Sequence, residues 1–501
     1  MKSAASHPIR SASGFGVFGP VGSGPVLTRE NPANTAETVG ELRTNTVEEV
    51  DAIVRSAETA QRVWSRQSIQ QRIDQLLSAA DAVGETTAEL SVVLARELGK
   101  PVADSAGEMG FAAAFTRYVT DHAEHVLATT YLDDAAGRVQ VDRVPFGVVA
   151  AVVPWNAPLI LASLKVGPAL VSGNSIVVKP SPLAPFAVTA ALEAMAGALP
   201  AGVLSVVHGE AAVGQALVGH SRVRKVAFTG GEAVGRSVLA TTAQHITPAV
   251  MELGGNDAAL VCEDSVFDDT FIEGMIFGAL LTSGQVCMAA KRLYVPQSRM
   301  DEFVDRFVEV ARRVLVCGDP LNPAVTVGPL VSAVQVAKVS GLVAEAASAG
   351  ATVTPLGTLT SEFDPERGYF LQPTLVVAEN SMAIVQTEQF GPTVPVVGYR
   401  RLDQAIGWAN DSDLGLASSV WSSDEDHAFA VAQRLEAGTT FINCHNRAGM
   451  SLRVPFGGVK RSGFGREFGE AGIAEYSQTH AIHLPGTIRD GQGSARLYPQ
   501  G

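Results

Sequence analysis

The chain has 501 residues, 46% hydrophobic and 18% charged, which excludes disorder and provides for two to four domains with a large core. Asp and Glu number 51 against 37 Lys and Arg, a net charge of −14 with an isoelectric point near 5.2. That argues against nucleic acid as the ligand, because phosphate binding needs a basic face. The four cysteines, Cys262, Cys287, Cys317 and Cys444, stand far apart with no CxxC pair. They signal neither a disulfide framework nor a metal site, and a cytoplasmic location is the default expectation.

Residues 1–25 are rich in Gly, Ser and Ala and read as loose, with no apolar core of signal-peptide type. They include "GFGVFG", Gly14 to Gly19, a G-x-G-x-x-G without a strand before it or a clear helix after it, so it lacks the context of a dinucleotide site. From Thr46 to about Thr120 the pattern is helical. Val50, Ile53, Val54, Ala57 and Ala60 form one stripe, and Thr46 with Glu49 forms a capping box. Val144 to Leu164 then carries no charge for 21 residues, long enough for a membrane span. Pro145, Pro154, Asn156 and Pro158 interrupt it, so a buried strand, a turn and a buried helix fit better, and no membrane is expected.

From Val148 short β-branched runs alternate with helical segments. This is the rhythm of βαβ units: a mostly parallel sheet with helices on both faces, binding ligands at the carboxyl ends of its strands. In "KVAFTGGEAVGR" a strand ends at Phe228, Thr229-Gly230-Gly231 turn, and a helix opens near Glu232. Free N–H groups at such a helix start suit a phosphate, although an ordinary βα turn looks the same. In "SIVVKPSPLAP" Lys179 ends a strand, either facing a ligand or simply solvated. A second α/β block runs from near Asp257 to about Asn443, with a helix before Cys287 and another at Met300–Val314.

The reactive candidates lie around these strand ends. In "GALLTSGQVCMAAKRLYV" an apolar run breaks at Ser283-Gly284 before Cys287. A glycine there lets backbone approach a substrate closely. A thiol at the start of a helical turn is expected to have a lowered pKa, favouring thiolate. The competing reading is a cysteine that serves as a small core hydrophobe. Lys291 and Arg292 follow, on a strand that carries them away. No histidine stands out as a base. Glu252, in "VMELGGND", is a charge inside an apolar strand end, and a buried Glu with a raised pKa makes a general base. Asn156, in "VVPWNAP", is either an oxyanion donor or a turn residue.

Taken together, "VPWNAP", "VVKPS", "FTGGEAVG", "MELGGN", "SGQVCMAAKRLYV", "EQFGP" and "PFGGVKRSGFGRE" resemble the NAD(P)-dependent aldehyde dehydrogenase superfamily, from about Asn31 to Leu484. The resemblance implies that Cys287 attacks the aldehyde while the Asn156 amide and the Cys287 backbone N–H hold the oxyanion. A hydride then passes to the nicotinamide, and Glu252 activates the water that hydrolyses the thioester. It implies a proton route through Lys165 and Glu467. Lys179 would reach the adenosine ribose, with Ser181 also a cofactor-binding residue, Gly230 and Gly231 would lie at the pyrophosphate, and Glu388 at the nicotinamide ribose. Trp155, Leu253 and Phe390 would lie near the ring. The cofactor expected is NAD, with NADP usable, because Pro182 stands where the family often has a glutamate that repels a 2′-phosphate. Gly231 stands where serine is common and Asn256 where lysine is common.

The implied fold is α/β. A Rossmann-like cofactor domain comes from residues 1–125 and 146–256, and a catalytic domain from 257–443. A small β oligomerisation element comes from 126–145 and 475–501, and 444–474 is a substrate loop returning to the cofactor domain. A homodimer or homotetramer is therefore expected. The implied substrate tunnel, Ala157, Leu161, Leu164 and Leu281, is aliphatic where relatives acting on small aldehydes often have Phe or Trp. A medium-sized aromatic or branched aliphatic aldehyde is expected. His445, Arg447 and Arg453, in the loop at the tunnel mouth, raise the alternative of a semialdehyde bearing a carboxylate. A CoA-acylating enzyme would not need Glu252, and a catalytically silent binding protein would not need Asn156, Glu252 and Cys287 together.

Overall fold

The computed structural model describes residues 9–10, 16–17 and 22–486. Most of the tail and most of the Gly14–Gly19 motif lie outside the described residues. Ser23 and Gly24, within the stretch read as loose, are tied down: the Gly24 N–H donates to the Thr44 carbonyl at 2.8 Å and the Ser23 N–H to Glu49 at 3.0 Å.

Three helices follow. α1 (Val47–Trp64) opens on the expected capping box, in which Thr46 accepts the Glu49 N–H at 3.3 Å and Glu49 accepts the Thr46 N–H at 2.9 Å. Val50, Val54 and Ala57 are its buried stripe. α2 (Ile69–Leu98) starts on a second capping box, Ser68 with Gln71, and α3 (Val102–Val126) packs along it. α2 and α3 each send one buried carboxylate inward. Glu97 accepts the N–H groups of Phe186 and Ala187 at 2.9 and 3.0 Å, at the start of α5 (Phe186–Gly197). Glu108 does the same for Leu159 and Ile160, at 2.7 and 3.3 Å, at the start of α4 (Pro158–Val171). Carboxyl oxygens at a helix N-terminus satisfy its free N–H groups. Neither α4 nor α5 has a side-chain cap of its own, so these distant carboxylates serve instead.

The uncharged stretch at 144–164 is the strand Val148–Val152, a turn and the first half of α4. Among the described residues no helix is long and apolar enough to cross a membrane. Val148–Val152 is central in a six-stranded sheet. Ser175–Lys179 and Leu204–Val206 lie on one side, Val223–Thr229 and Ala249–Glu252 on the other, all parallel. The chain therefore reverses its direction of sheet growth between Val148–Val152 and Val223–Thr229, and a crevice at the carboxyl ends of such strands is where ligands bind. A late strand, Gly463–Phe464, closes the edge by pairing antiparallel with Met251 and Glu252.

A second sheet of seven strands has Asp257–Val261 flanked by Ala290–Pro296 and Ala417–Trp421, all parallel. The four residues Leu253-Gly254-Gly255-Asn256 join the end of Ala249–Glu252 in the first sheet to the start of Asp257–Val261 in the second. The carboxyl end of Ala249–Glu252 therefore adjoins the amino end of Asp257–Val261. A third sheet pairs Thr130–Asp134, Gly137–Pro145 and Ser477–Pro485 antiparallel, within the segments expected to form the small β element.

Candidate active site

The segment before Cys287 is unusual backbone. The helix Asp269–Leu280 ends, and Thr282, Ser283 and Gly284 take φ of 53°, 56° and 71° in succession. Such values are costly for a β-branched threonine and persist only where surrounding contacts impose them. Those contacts are identifiable. Ser283 Oγ donates to the Gly328 carbonyl at 2.9 Å, and Gln285 Oε1 accepts the Val331 N–H at 3.0 Å. Lys291 Nζ donates to the carbonyls of Ala279, Gly391 and Thr393 at 2.9, 2.7 and 3.1 Å. At Gly284 a side chain would start 2.2 Å from the Gly391 carbonyl oxygen, so only glycine fits.

The loop delivers Cys287 into a turn, not onto a helix start. The expected lowering of its pKa is corrected accordingly. Burial pushes the thiol up, and the carboxylates of Asp257, Glu388 and Glu252 add to the effect. Lys291 and Arg292 give no help. Both are buried on Ala290–Pro296 and bonded to backbone carbonyls, Arg292 to those of Asn256, Trp408 and Ala409.

Cys287 lines an apolar cavity of about 100 Å³ together with Asn156, Glu252 and Glu467. A dry cavity of about that order accepts a single six-membered ring. Asn156 is 5% exposed and donates one amide hydrogen to the Gln285 carbonyl at 3.0 Å, leaving the other for the cavity. Glu252 ends Ala249–Glu252, and both its oxygens lack a hydrogen-bond partner among the described residues. Burial, and then the charge of Glu467, raise its pKa well above the usual carboxylate range, against the opposing pull of Lys165 and Arg466. Lys165, from α4, reaches Glu467 at 2.6 Å and Thr229 Oγ1 at 2.8 Å, with both ends of the ion pair buried.

Ala157, Leu161, Leu164 and Leu281 all line this cavity, as does Leu253. Phe111, Met288, Met450 and Phe468 line it as well and were not legible in the sequence. Phe111 arrives from α3 and Phe468 from the far end of the chain, edge to face at 5.9 Å. The basic loop divides. Arg447 lines the cavity, 3.4 Å from Asp104, whereas Arg453 is exposed and outside it. His445 is 1% exposed, so its expected place at the tunnel mouth is corrected: it lies behind the wall, against Gly278, Phe441 and Ser419. Lys100, overlooked in the sequence, also lines the cavity and pairs with Glu108 at 2.5 Å.

The residues expected at the cofactor do not line the cavity, Leu253 apart. Lys179 is not the solvated lysine of the competing reading. It is 6% exposed, its amine donates only to its neighbour Pro180 at 3.3 Å among the described residues, and burial lowers its pKa to about 8. Ser181 Oγ accepts the Leu183 N–H at 3.2 Å. Gly231 caps the helix Glu232–His245 without a side-chain bond, and a Cβ there would meet open space, so the glycine in place of serine costs no contact. The Gly230 N–H donates to the Glu252 carbonyl at 3.1 Å. Glu388 is pushed up to about 7 by burial and accepts the Gly255 N–H at 3.2 Å. Phe390, at φ 57°, stands edge-on to Trp155 at 5.5 Å. A buried, barely partnered ammonium and an uncapped helix start fit the ribose and pyrophosphate of a dinucleotide.

The aldehyde dehydrogenase family profile matches residues 22–482. Geranial dehydrogenase of Castellaniella defragrans is 36% identical over 461 residues, covering 91% of this chain and 94% of that protein. Glutarate-semialdehyde dehydrogenase of Pseudomonas aeruginosa is 35% identical, covering 93% and 95%. Among solved structures, an NAD-dependent aldehyde dehydrogenase from Sinorhizobium meliloti superposes with a TM-score of 0.89 at 30% identity over 96% of this chain and 95% of that one. An NADP-dependent glyceraldehyde-3-phosphate dehydrogenase from Bacillus halodurans, complexed with NADP, gives 0.86 at 30% over 92% and 96%.

Proposed function

The chain belongs to the aldehyde dehydrogenase family and is an NAD(P)-dependent oxidoreductase acting on an aldehyde; from that premise we propose that it converts a medium-sized aromatic or branched aliphatic aldehyde to the acid through covalent capture on Cys287. The observation that carries this reading is the convergence of Cys287, Asn156, Glu252 and Glu467 on one apolar cavity.

Covalent capture divides a difficult oxidation into two easier steps. Cys287 gives up its proton to Glu252, whose raised pKa suits it to accept one near neutrality. The sulfur adds to the carbonyl carbon, and the free Asn156 amide hydrogen and the Cys287 N–H meet the oxygen as it becomes negative. When bound, the nicotinamide supplies the hydride acceptor. Lys179 and Ser181 would hold its adenosine end, Gly230 and Gly231 its pyrophosphate and Glu388 its second ribose, with Trp155, Leu253 and Phe390 available to the ring. After oxidation Cys287 carries a thioester. Glu252, having passed the thiol proton on towards the Glu467–Lys165 pair, draws a second proton from the attacking water.

An apolar substrate gains roughly 25 cal/mol per Å² on entering this cavity. Arg447 and Lys100 are each already held by a carboxylate, so neither is a free cation for a substrate. Geranial, the substrate in the name of one relative, is a branched aliphatic aldehyde. The second reading is a semialdehyde, favoured by the position of Arg447 on the cavity wall and by the glutarate-semialdehyde relative. Comparing kcat/KM for benzaldehyde, hexanal, acetaldehyde and succinic semialdehyde decides. A benzaldehyde or hexanal maximum supports the apolar reading, a semialdehyde maximum moves the assignment to Arg447, and an acetaldehyde maximum removes both. Cys287→Ala is expected to abolish turnover and leave cofactor binding intact, and substantial residual oxidation would refute the covalent mechanism.

The same premise supports a cytoplasmic homodimer or homotetramer, formed through the three-stranded sheet. Tyr131 and Leu132 on its outer strand are 61% and 57% exposed. The division into 1–125 with 146–256, 257–443, 126–145 with 475–501, and 444–474 is proposed on the membership of the three sheets.

A further inference from the structure

The cavity of about 100 Å³ around Cys287 holds a ring or chain of about six carbons. A second, larger hollow of about 320 Å³ lies on the outer side of its wall. The floor of this hollow is apolar. Ile276, Leu280, Leu315 and Val325 are buried in it, and Phe277 and Val314 stand partly exposed at its sides. Two carboxylates border it, but Asp104 faces Arg447 at 3.4 Å and Glu273 faces Arg313 at 3.3 Å. Thr326, also on its wall, donates its hydroxyl proton to the Val314 carbonyl at 3.1 Å. The polar groups are therefore already engaged, and what the hollow offers a ligand is hydrocarbon contact.

Three adjacencies tie the hollow to the catalytic cavity. Leu281 lines both. Lys100 lines the inner space, and the next residue, Pro101, lines the outer one. Arg447 on the inner wall is the partner of Asp104 on the outer wall. The two spaces are thus neighbours across Leu281 and the Arg447–Asp104 pair. The two side chains of that pair are 32% and 19% exposed, and an ion pair open to solvent is held weakly, so it can part for a substrate at little cost. Phe277 and Leu281 stand four residues apart, one helical turn, and so form a row leading from the outer space to the inner one.

We propose that the outer hollow is the subsite for the far end of the substrate: the preferred aldehyde carries a hydrocarbon tail too long for the inner cavity, with its carbonyl at Cys287 and its tail passing Leu281 to lie on Phe277 and Val314. The inference rests on the apolar reading proposed above and deepens it, making Phe277 and Val314 specificity residues for chain length.

The test is a chain-length series, hexanal, octanal and decanal, with the wild type, Val314→Asp and Phe277→Ser. Neither residue lines the cavity around Cys287. A fully buried methylene strengthens binding about fourfold and a half-buried one about twofold, so decanal should exceed hexanal on the order of tenfold in kcat/KM, with the gain in KM. Each substitution should bring decanal back towards hexanal and leave hexanal at its wild-type value. A wild-type series that is flat or falls with length, or a decanal advantage that survives both substitutions, overturns the proposal. Calorimetric titration with hexan-1-ol and decan-1-ol reads the hollow without turnover. The decanol-to-hexanol affinity ratio should fall in both variants, and a ratio held at the wild-type value in both would also overturn the proposal. The alcohols keep the two readings apart: a semialdehyde maximum in kcat/KM refutes the apolar substrate, whereas the affinity ratio reports the tail subsite alone.

Discussion

Replacing Glu108 with Gln tests whether α4, and with it Asn156, is held in place from outside the two central sheets. The wild-type carboxylate has two roles: it pairs with Lys100 at 2.5 Å and accepts two N–H groups at the start of α4. Both ends of the ion pair are at most 3% exposed, so no solvent replaces what is lost. Gln keeps one acceptor oxygen for the Leu159 N–H but leaves the Lys100 ammonium buried and unpaired. Removing one partner of a buried pair costs about 3–5 kcal/mol. Lys100→Met on the same background removes the stranded charge and should recover most of that cost, because an apolar replacement of both partners is near neutral. The assay is urea unfolding, compared through midpoints at a shared slope. Activity gives a second readout: a displaced Asn156 should lower kcat up to about a hundredfold, the value of one oxyanion donor, with KM less affected. Glu108→Gln with wild-type stability, or a double variant no better than the single, would refute the reasoning.

Glu252→Gln should release a burst of NADH followed by a slow steady state as thioester accumulates, and wild-type hydrolysis would remove Glu252 from the base role. Because burial holds the proton on Glu252, kcat of the wild type should climb with pH well above the ordinary carboxylate range; a profile flat from pH 5 upwards argues against it. Glu97 is raised to about 7 from 4.5 by burial, with Glu108 adding to it. The folded state therefore keeps a proton that the unfolded chain has released between those values, and stability falls as pH rises through that window, by roughly 3 kcal/mol at 1.36 kcal/mol per unit. Glu97→Gln should flatten that part of the melting-temperature profile, and parallel wild-type and variant curves would count against the assignment. Pro182→Glu should weaken NADP binding relative to NAD in fluorescence titrations, and an unchanged ratio would move discrimination to another residue.

Local chemistry was readable and remote chemistry was not. The α1 capping box, the helix Met300–Val314 and the strand ends bearing Lys179 and Glu252 follow from propensity and period, which act over a few residues. Glu252 was singled out as a charge inside an apolar strand end, Cys287 as a thiol just after the Ser283-Gly284 break, and Asn156 as an amide in the turn after a buried strand. Lys100 with Glu108, and His445 with Asp257, gave no such sign. Each partner is unremarkable in its own segment, and the second pair acquires meaning only when residues 188 apart meet. Phe111 and Phe468 were missed for the same reason. The misplaced expectation for Cys287 has a different origin: a glycine-marked break was read as a helix start, whereas three successive left-handed residues make it a reversal into a turn.

The late strand at Gly463–Phe464 has a consequence for synthesis. Ala249–Glu252 forms the edge of the first sheet until Glu252 pairs with Gly463, about 211 residues further along the chain. At about 5–20 residues per second, a ribosome takes on the order of 10–40 s to make that stretch. Through that interval the nascent protein presents a free strand edge ending in an apolar segment, Val250, Met251 and Leu253, of the kind that recruits neighbouring chains. Polysomes translating this message at high density would be the place where its aggregation begins, and a stall before residue 463 would release a product whose cofactor sheet is laid down but whose edge at Glu252 is still open.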